Sequence, residues 1–321
     1  MSLHDNARAA LVRRIALRAL RSVFVVWLAM SIVFFAVHGI GDPAVATLGP
    51  RARPEQIQTF RARHGLDRPL AEQYGRYLVG LATLDLGTSW RDERPVLDVL
   101  AIRLPRTLVL MSLATLFELV LGLGIGLFAA RRRGTLVDTV AMGASFLGVS
   151  TPSFFLGVLA LQFLAFRLGL FPVGGYGVDA PDHVWHAILP ALVLASLGAA
   201  TYARLLRSEV IEVSAQDHVR TARAKGLSPT RILLSHVVRN ALPPIVTMIG
   251  LSLPSLVAGA VVTESVFGWP GMGRLAMESI YSFDLPMLLG IVFVGAVTVQ
   301  IGNLGAELVV ARIDPRVRER D

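Results

Sequence analysis

The residues with the best claim to chemistry are seven histidines, one lysine, a few serines flanked by small residues and one carboxylate inside an apolar run. The histidines, at 4, 38, 64, 183, 186, 218 and 236, never form H-E-x-x-H, and the pair His183 and His186 is too sparse for a metal site. Ser145 lies in GASFL and Ser150 in GVSTP, so neither makes the G-x-S-x-G turn of a serine hydrolase. The chain has no cysteine, which removes disulfides and thiolate ligands. Its single lysine, Lys225, follows Ala224 rather than glycine, so there is no G-x-x-x-x-G-K-[ST] loop to cradle nucleotide phosphates. The sequence therefore predicts no catalytic residue, no metal and no cofactor bound by this chain itself.

Carboxylates are equally scarce where an ion relay would need them. Glu118 is the one acid within an apolar run, and Glu264 and Glu307 sit at the ends of two others. Ion-coupled transporters use several intramembrane carboxylates, so Glu118 is read as a packing or pairing group ahead of a proton carrier.

A different kind of signal lies in HVRTARAKGLSPTRILLSHVVRNALPP, residues 218 to 244. Ser214 is placed to cap a helix, and Asp217 favours its first turn. A helix over 215 to 225 is about 16 Å long, too short and polar to cross a membrane. Arg223 and Lys225 suit its C-terminal end, and Gly226 suits a left-handed stop. Ser228 followed by Pro229 restarts a helix that carries Ile232, Leu233 and Val237. Ala222, Ala224 and Gly226 are small enough to let another protein approach; the competing reading is an amphipathic surface helix.

The elements around this segment are apolar. Hydrophobic residues make up 54% of the chain and charged residues 17%. Uncharged runs of about 20 residues or more, the length that crosses a bilayer, cover Ser22 to Gly41, Thr139 to Phe166, Val184 to Ala203, Asn240 to Thr263 and Leu285 to Ala306. Thr107 to Ala130 is a sixth, interrupted by Glu118. The expected fold is all-α: six transmembrane helices with a small insertion between the first two. The first run has a basic flank and an Ala44-Val45-Ala46 site, but its apolar core exceeds a signal peptide's, so an uncleaved anchor is expected.

The net charge of +8 comes from arginines gathered in the N-terminal tail, at 131 to 133, between 207 and 239, and after the last span, with many more in residues 42–106, a loop too long for charge to set orientation. The loops near 167 to 183 and 264 to 284 hold one arginine each, Arg167 and Arg274. That alternation predicts cytoplasmic termini and accounts for the basic charge without nucleic acid. The chain divides into a lead-in and first span (1–41), an extracytoplasmic insertion (42–106), a core (107–311) holding the polar loop 207–239, and a tail (312–321). Gly122, Gly124 and Gly126, and the i+4 series Ala191, Ala195, Ala199 and Ala203, mark helix faces for close packing. Prolines at 152, 190, 243, 244 and 254 lie inside or beside spans, where neighbours must satisfy the freed carbonyls.

The segment 218–244 resembles the coupling loop of ABC-transporter permeases, in particular the dipeptide/oligopeptide/nickel importer group. IGDPAVATLG, DLGTSW, STPSFFLG, LFPVGGY, HAILPALVLA, TESVFGWPGMGRL and the tail DPRVR match patterns of the same group. Ile40 stands where the group has proline, and Arg220-Thr221-Ala222 where the general loop has Glu-Ala-Ala. The resemblance implies a permease subunit of an ATP-driven importer, for di- or oligopeptides or, within the same group, nickel or glutathione. It implies a second permease, two cytoplasmic ATPase subunits carrying ATP and Mg, and an extracytoplasmic binding protein, all at the lipid bilayer. Asp217, His218, Arg220, Thr221, Ala222, Arg223, Ala224, Lys225, Gly226, Leu227 and Ser228 would then form the ATPase-coupling loop. Glu264, Phe267, Trp269 and Pro270 would line the outer mouth or meet the binding protein. The rival from another class is an ion-coupled transporter or channel that works without nucleotide.

Overall fold

The computed structural model describes residues 2–313; the expected tail beyond Ile313 lies outside them. Two compact units are built from segments that interleave along the chain, 1–102 with 275–300, and 103–274 with 301–321.

In the first unit, helix α1 (Ser2–Ile40) carries the basic lead-in and the first apolar run as one continuous helix. The chain then turns into α2 (Pro43–Leu48), α3 (Pro54–His64) and α4 (Leu70–Thr83). Asp42 starts α2: its carboxylate accepts the Ala44 N–H at 3.0 Å while Pro43 occupies the first helical position, where no amide hydrogen is needed. Phe34 on α1 stacks on Tyr77 of α4 and tilts against Tyr74, whose hydroxyl meets Ser31. Apolar rings thus fasten the insertion to the first span. Beyond α12 (Met272–Tyr281), Asp284 caps the start of α13 (Leu285–Ile313) through Met287 N–H, and it also takes the Trp90 N–H at 3.1 Å and the Ser89 hydroxyl. One carboxylate therefore ties the insertion's last loop to the final helix.

Helix α5 begins at Val96 and runs to Arg131, so the last residues of the insertion expected over 42–106, from 96 on, are the first turns of that helix. The sequence boundary followed Asp98, Arg103 and Arg106; charge marks where a helix leaves hydrocarbon, which is not where it begins. Pro105 lies inside α5 without ending it.

The second unit is a helical bundle around α8 (Ala180–Ser214), which packs on α6 (Leu136–Ser150) and on α11 (Arg239–Val266). Helix α7 (Ser153–Ala160) continues through a π-helical stretch to Arg167 and packs on both α8 and α11. The third expected span is therefore not one rod: 136–148 and 153–167 meet at 103°. Pro152 is the cause. It excludes the helical conformation for the residue before it, and Thr151 is extended at φ −93°, ψ 126°. Among the described residues, five helices are long and apolar enough to cross a membrane, or six if the bent pair is one span.

The two small-residue faces read separately in the sequence meet each other. A Cβ on Gly122 would lie 2.7 Å from the Ala199 carbonyl oxygen and from Tyr202 Cβ, and one on Gly126 only 2.5 Å from the Ala203 carbonyl oxygen. Glu118 lies one turn earlier on the same face of α5, with its buried carboxylate against Gly198 of α8, where any side chain would displace it. Gly124, on the other side of α5, has nothing near it. Bare backbone on both helices is what lets α5 and α8 come this close.

Candidate coupling site

At the end of α8 the chain leaves the bundle and returns to it through α9 (Asp217–Ala224), a short α10 (Pro229–Arg231) and a π-helical stretch Ile232–Val238 that runs into α11. The expected helix-break-helix is present, shifted at its start. Ser214 does not cap α9. It is the last residue of α8, and its hydroxyl bonds back to the Val210 carbonyl. Helix α8 runs this far because Leu206, Val210 and Val213 stay buried beyond the end of the uncharged run. Gln216 opens α9 without a side-chain cap.

The stop is as the sequence demands. Gly226 has φ +75°, Gly226 N–H bonds Arg223 O at 3.0 Å, and Leu227 N–H bonds Ala222 O at 3.3 Å. This paired pattern closes a helix at a left-handed residue. Ser228 and Pro229 restart the chain, although the Ser228 hydroxyl makes no capping bond.

Val219 and Ala222 are the buried side of α9, at 0% and 4% exposure, in one cluster with Val210, Val213, Ile232, Val237 and Ala241. Ala222 is thus an anchor facing its own chain, not part of an approachable small-residue surface. His218 lies near the His236 carbonyl at 3.4 Å and the Asn240 amide at 3.4 Å, while Asn240 also bonds His236 O at 2.6 Å. These contacts hold α9 against the π-helical stretch. Asp217, His218, Arg220, Thr221, Arg223, Ala224, Lys225, Gly226 and Ser228 are exposed, with Leu227 half-buried. The result is a short helix seated firmly on the starts and ends of two long helices, presenting a basic outer face.

One feature of this end was missed in the sequence. Asp138 at the start of α6 accepts Nε and Nη2 of Arg207 on α8. The signal available was that Asp138 is the one acid between Arg133 and Asp179.

The four residues expected at an outer mouth are mostly interior. Glu264 and Trp269 have no exposed surface and Phe267 is 3% exposed; only Pro270 is partly open. Their neighbour Tyr176 stacks on His183 at 3.8 Å, and the His183 ring also bonds Tyr176 O at 2.8 Å. His186 bonds the Asp182 carbonyl at 2.8 Å, so both histidines of the sparse pair are engaged locally.

The described residues thus form a helical chain with five or six helices long and apolar enough to cross a membrane, and a short basic helix anchored at one end of the bundle. Residues 122–319 match the model of the binding-protein-dependent transport system inner membrane component, and residues 10–111 match that family's N-terminal membrane component. The chain belongs to this family of ABC permeases. It is 37% identical to the oligopeptide transport system permease protein AppB of Bacillus subtilis, over 86% of this chain and 90% of the relative. The dipeptide permease DppB of Escherichia coli K12 is 34% identical, with 95% and 98% covered, and the glutathione permease GsiC of an Escherichia coli O6:H1 strain is 37% identical, with 89% and 92% covered. A chain of the inward-facing MetNI methionine ABC transporter has a similar fold, with TM-score 0.56 at 18% identity over 68% of this chain and 98% of that one.

Proposed function

We propose that this chain is half of the translocation path of an ATP-driven importer for short peptides, and that α9 is where a cytoplasmic ATPase subunit docks. The observation that carries the reading is α9 itself. It is short, closed at Gly226, anchored by Val219 and Ala222, and faced outward with Arg220, Thr221, Arg223, Ala224 and Lys225. A helix seated this way moves with the ends of α8 and α11, so a push on it tilts both as a rigid-body change. ATP and Mg belong to the docked subunits, because this chain has no phosphate-binding loop. A second permease, two ATPases and an extracytoplasmic binding protein complete the assembly. Both termini and the α9 loop face the cytoplasm, in keeping with arginine placement. Peptide cargo rests on relatives named for oligopeptides, dipeptides and glutathione.

Purification in mild detergent from its own host tests this reading. P-loop subunits should copurify in stoichiometric amount, and flux in proteoliposomes should require ATP. Peptide flux through this chain alone, without nucleotide, would overturn it.

A further inference from the structure

Resting on that reading, we infer that Glu264 is a positioning residue, a latch that passes movement of α11 into α5 and into a wedge made by Trp269. Helix α11 leaves the α9 site at Arg239 and ends at Val266, about 42 Å away at the helical rise. At that far end the Glu264 carboxylate is completely buried. One oxygen accepts the Thr107 hydroxyl of α5 at 2.7 Å, and the other accepts the Arg274 N–H at 3.0 Å. Thr107 in turn accepts the Met272 N–H at 2.7 Å, so its single hydroxyl joins both sides. Gly271 and Gly273 leave the room the carboxylate occupies.

These bonds fold the intervening chain back into the bundle. Trp269 N–H bonds the Glu264 carbonyl at 2.9 Å, and the indole N–H bonds the Arg106 carbonyl at 3.2 Å. Its ring belongs to a buried cluster with Leu110, Ala114, Ala187, Ala191 and Leu194, between α5 and α8. Tyr176 meets the ring edge-on at 4.9 Å, under the Arg106 guanidinium. Gly175 N–H bonds Phe267 O at 2.9 Å, and the Arg274 guanidinium bonds Gly268 O at 2.7 Å.

Apolar packing would hold such a wedge as well, and a buried carboxylate is a costly substitute whose best-attested role is to specify one arrangement of elements over another. A second polar group beside the latch is buried without a partner: the Thr263 hydroxyl has no hydrogen bond among the described residues. Native structures seldom leave such groups unmatched. On this inference, tilting α11 at its α9 end carries Glu264, and with it Thr107 and the Trp269 wedge.

The chain lacks cysteine, so Ala187→Cys places a single thiol of this subunit beneath the wedge. Labelling by a membrane-impermeant maleimide is measured in the reconstituted complex, without nucleotide and trapped with ATP and vanadate. The latch predicts that the labelling rate changes between the two states by about tenfold, within the usual range of coupling between sites. Glu264→Gln should shrink that change while ATP hydrolysis continues, because the amide keeps one accepting oxygen while its nitrogen can only donate. Thr107→Ser should preserve the change and Thr107→Val remove it, a pair that keeps the test in hand if Glu264→Gln fails to assemble. Equal labelling in both states of the unaltered latch, or a change of undiminished size in both Glu264→Gln and Thr107→Val, overturns the inference. A chain that purifies without P-loop subunits instead overturns the reading beneath it, before any labelling is done.

Discussion

Asp138 and Arg207 are paired through two parallel bonds, Oδ1 to Nε at 2.6 Å and Oδ2 to Nη2 at 2.7 Å, although 69 residues separate them. Asp138 also accepts the Gly134 N–H at 3.0 Å, so the turn into α6 is fixed to α8 ten residues before α9 begins. Side-by-side bonding of this kind sets orientation as well as attraction.

Removing either partner should therefore loosen the α9 end of the bundle. Arg207→Ala, which strands a carboxylate only 5% exposed, should lower the melting temperature in detergent more than Asp138→Ala does. The exchanged pair Asp138→Arg with Arg207→Asp should recover part of the loss. Equal melting of all variants would show that the pair is energetically silent.

The α5–α8 seam makes a contrast between neighbouring glycines. Gly126→Ala drives a methyl to 2.5 Å from the Ala203 carbonyl and should cost about 1–3 kcal/mol as overpacking. Gly124→Ala meets nothing within 4 Å and should be neutral or stabilising, since alanine is the better helix former. Thermal unfolding of the two single variants, side by side, checks the assignment of faces.

At Gly226 the constraint is conformational, because a Cβ there has open space around it. Gly226→Ala should cost about 1–2 kcal/mol for holding an L-residue left-handed, and Gly226→Asn less. Gly226→Pro is worse, since it removes the N–H that bonds Arg223 O and demands a negative φ. Under the proposed function it should leave ATP hydrolysis running without stimulated transport. Intact coupling in the assembled proline variant would remove α9 from its role.

The insertion should respond to acid in two stages. His64 lies against Phe60 and Trp90, and burial, with Arg63 beside it, holds its ring below the ordinary histidine range. A depressed histidine loses stability as pH falls below the unfolded value, about 6.5, until the folded ring also takes a proton. The Arg61 guanidinium, with the Ala44 and Val45 amides, holds the Asp42 carboxyl below the usual range. Its stabilisation is present above about pH 4 and disappears as pH falls through the lowered folded value. Hydrogen exchange of residues 42–95 between pH 7.5 and 3 should show both stages. Asp42→Asn should delete the acidic one, and His64→Gln the one nearer neutrality.

Much of this was legible along the chain because the relevant physics is local. Five of the six expected runs fall on single helices, since an uncharged run of membrane length specifies its own environment. The stop at Gly226 needed one residue without a Cβ. The bend in the third span is invisible to hydropathy, which registers composition; Pro152 marks its place in the sequence, but the 103° angle emerges only in the fold. Ser214 was misread as a cap because burial of Val210 and Val213 against a later segment extends α8, and no local pattern reports that.

The sequence by itself determined that the chain lives in a membrane, which runs are apolar enough to cross it and where α9 must end, since each follows from hydropathy, charge or the conformational freedom of a single residue. Only the tertiary structure decided that Ala222 faces inward while Ala224 faces out, that the glycines of α5 meet the alanines of α8, and that Glu264 is spent on Thr107 across 157 residues. Those outcomes depend on the partner each side chain finds after the helices pack, and identity and spacing along one strand of sequence do not contain the partner.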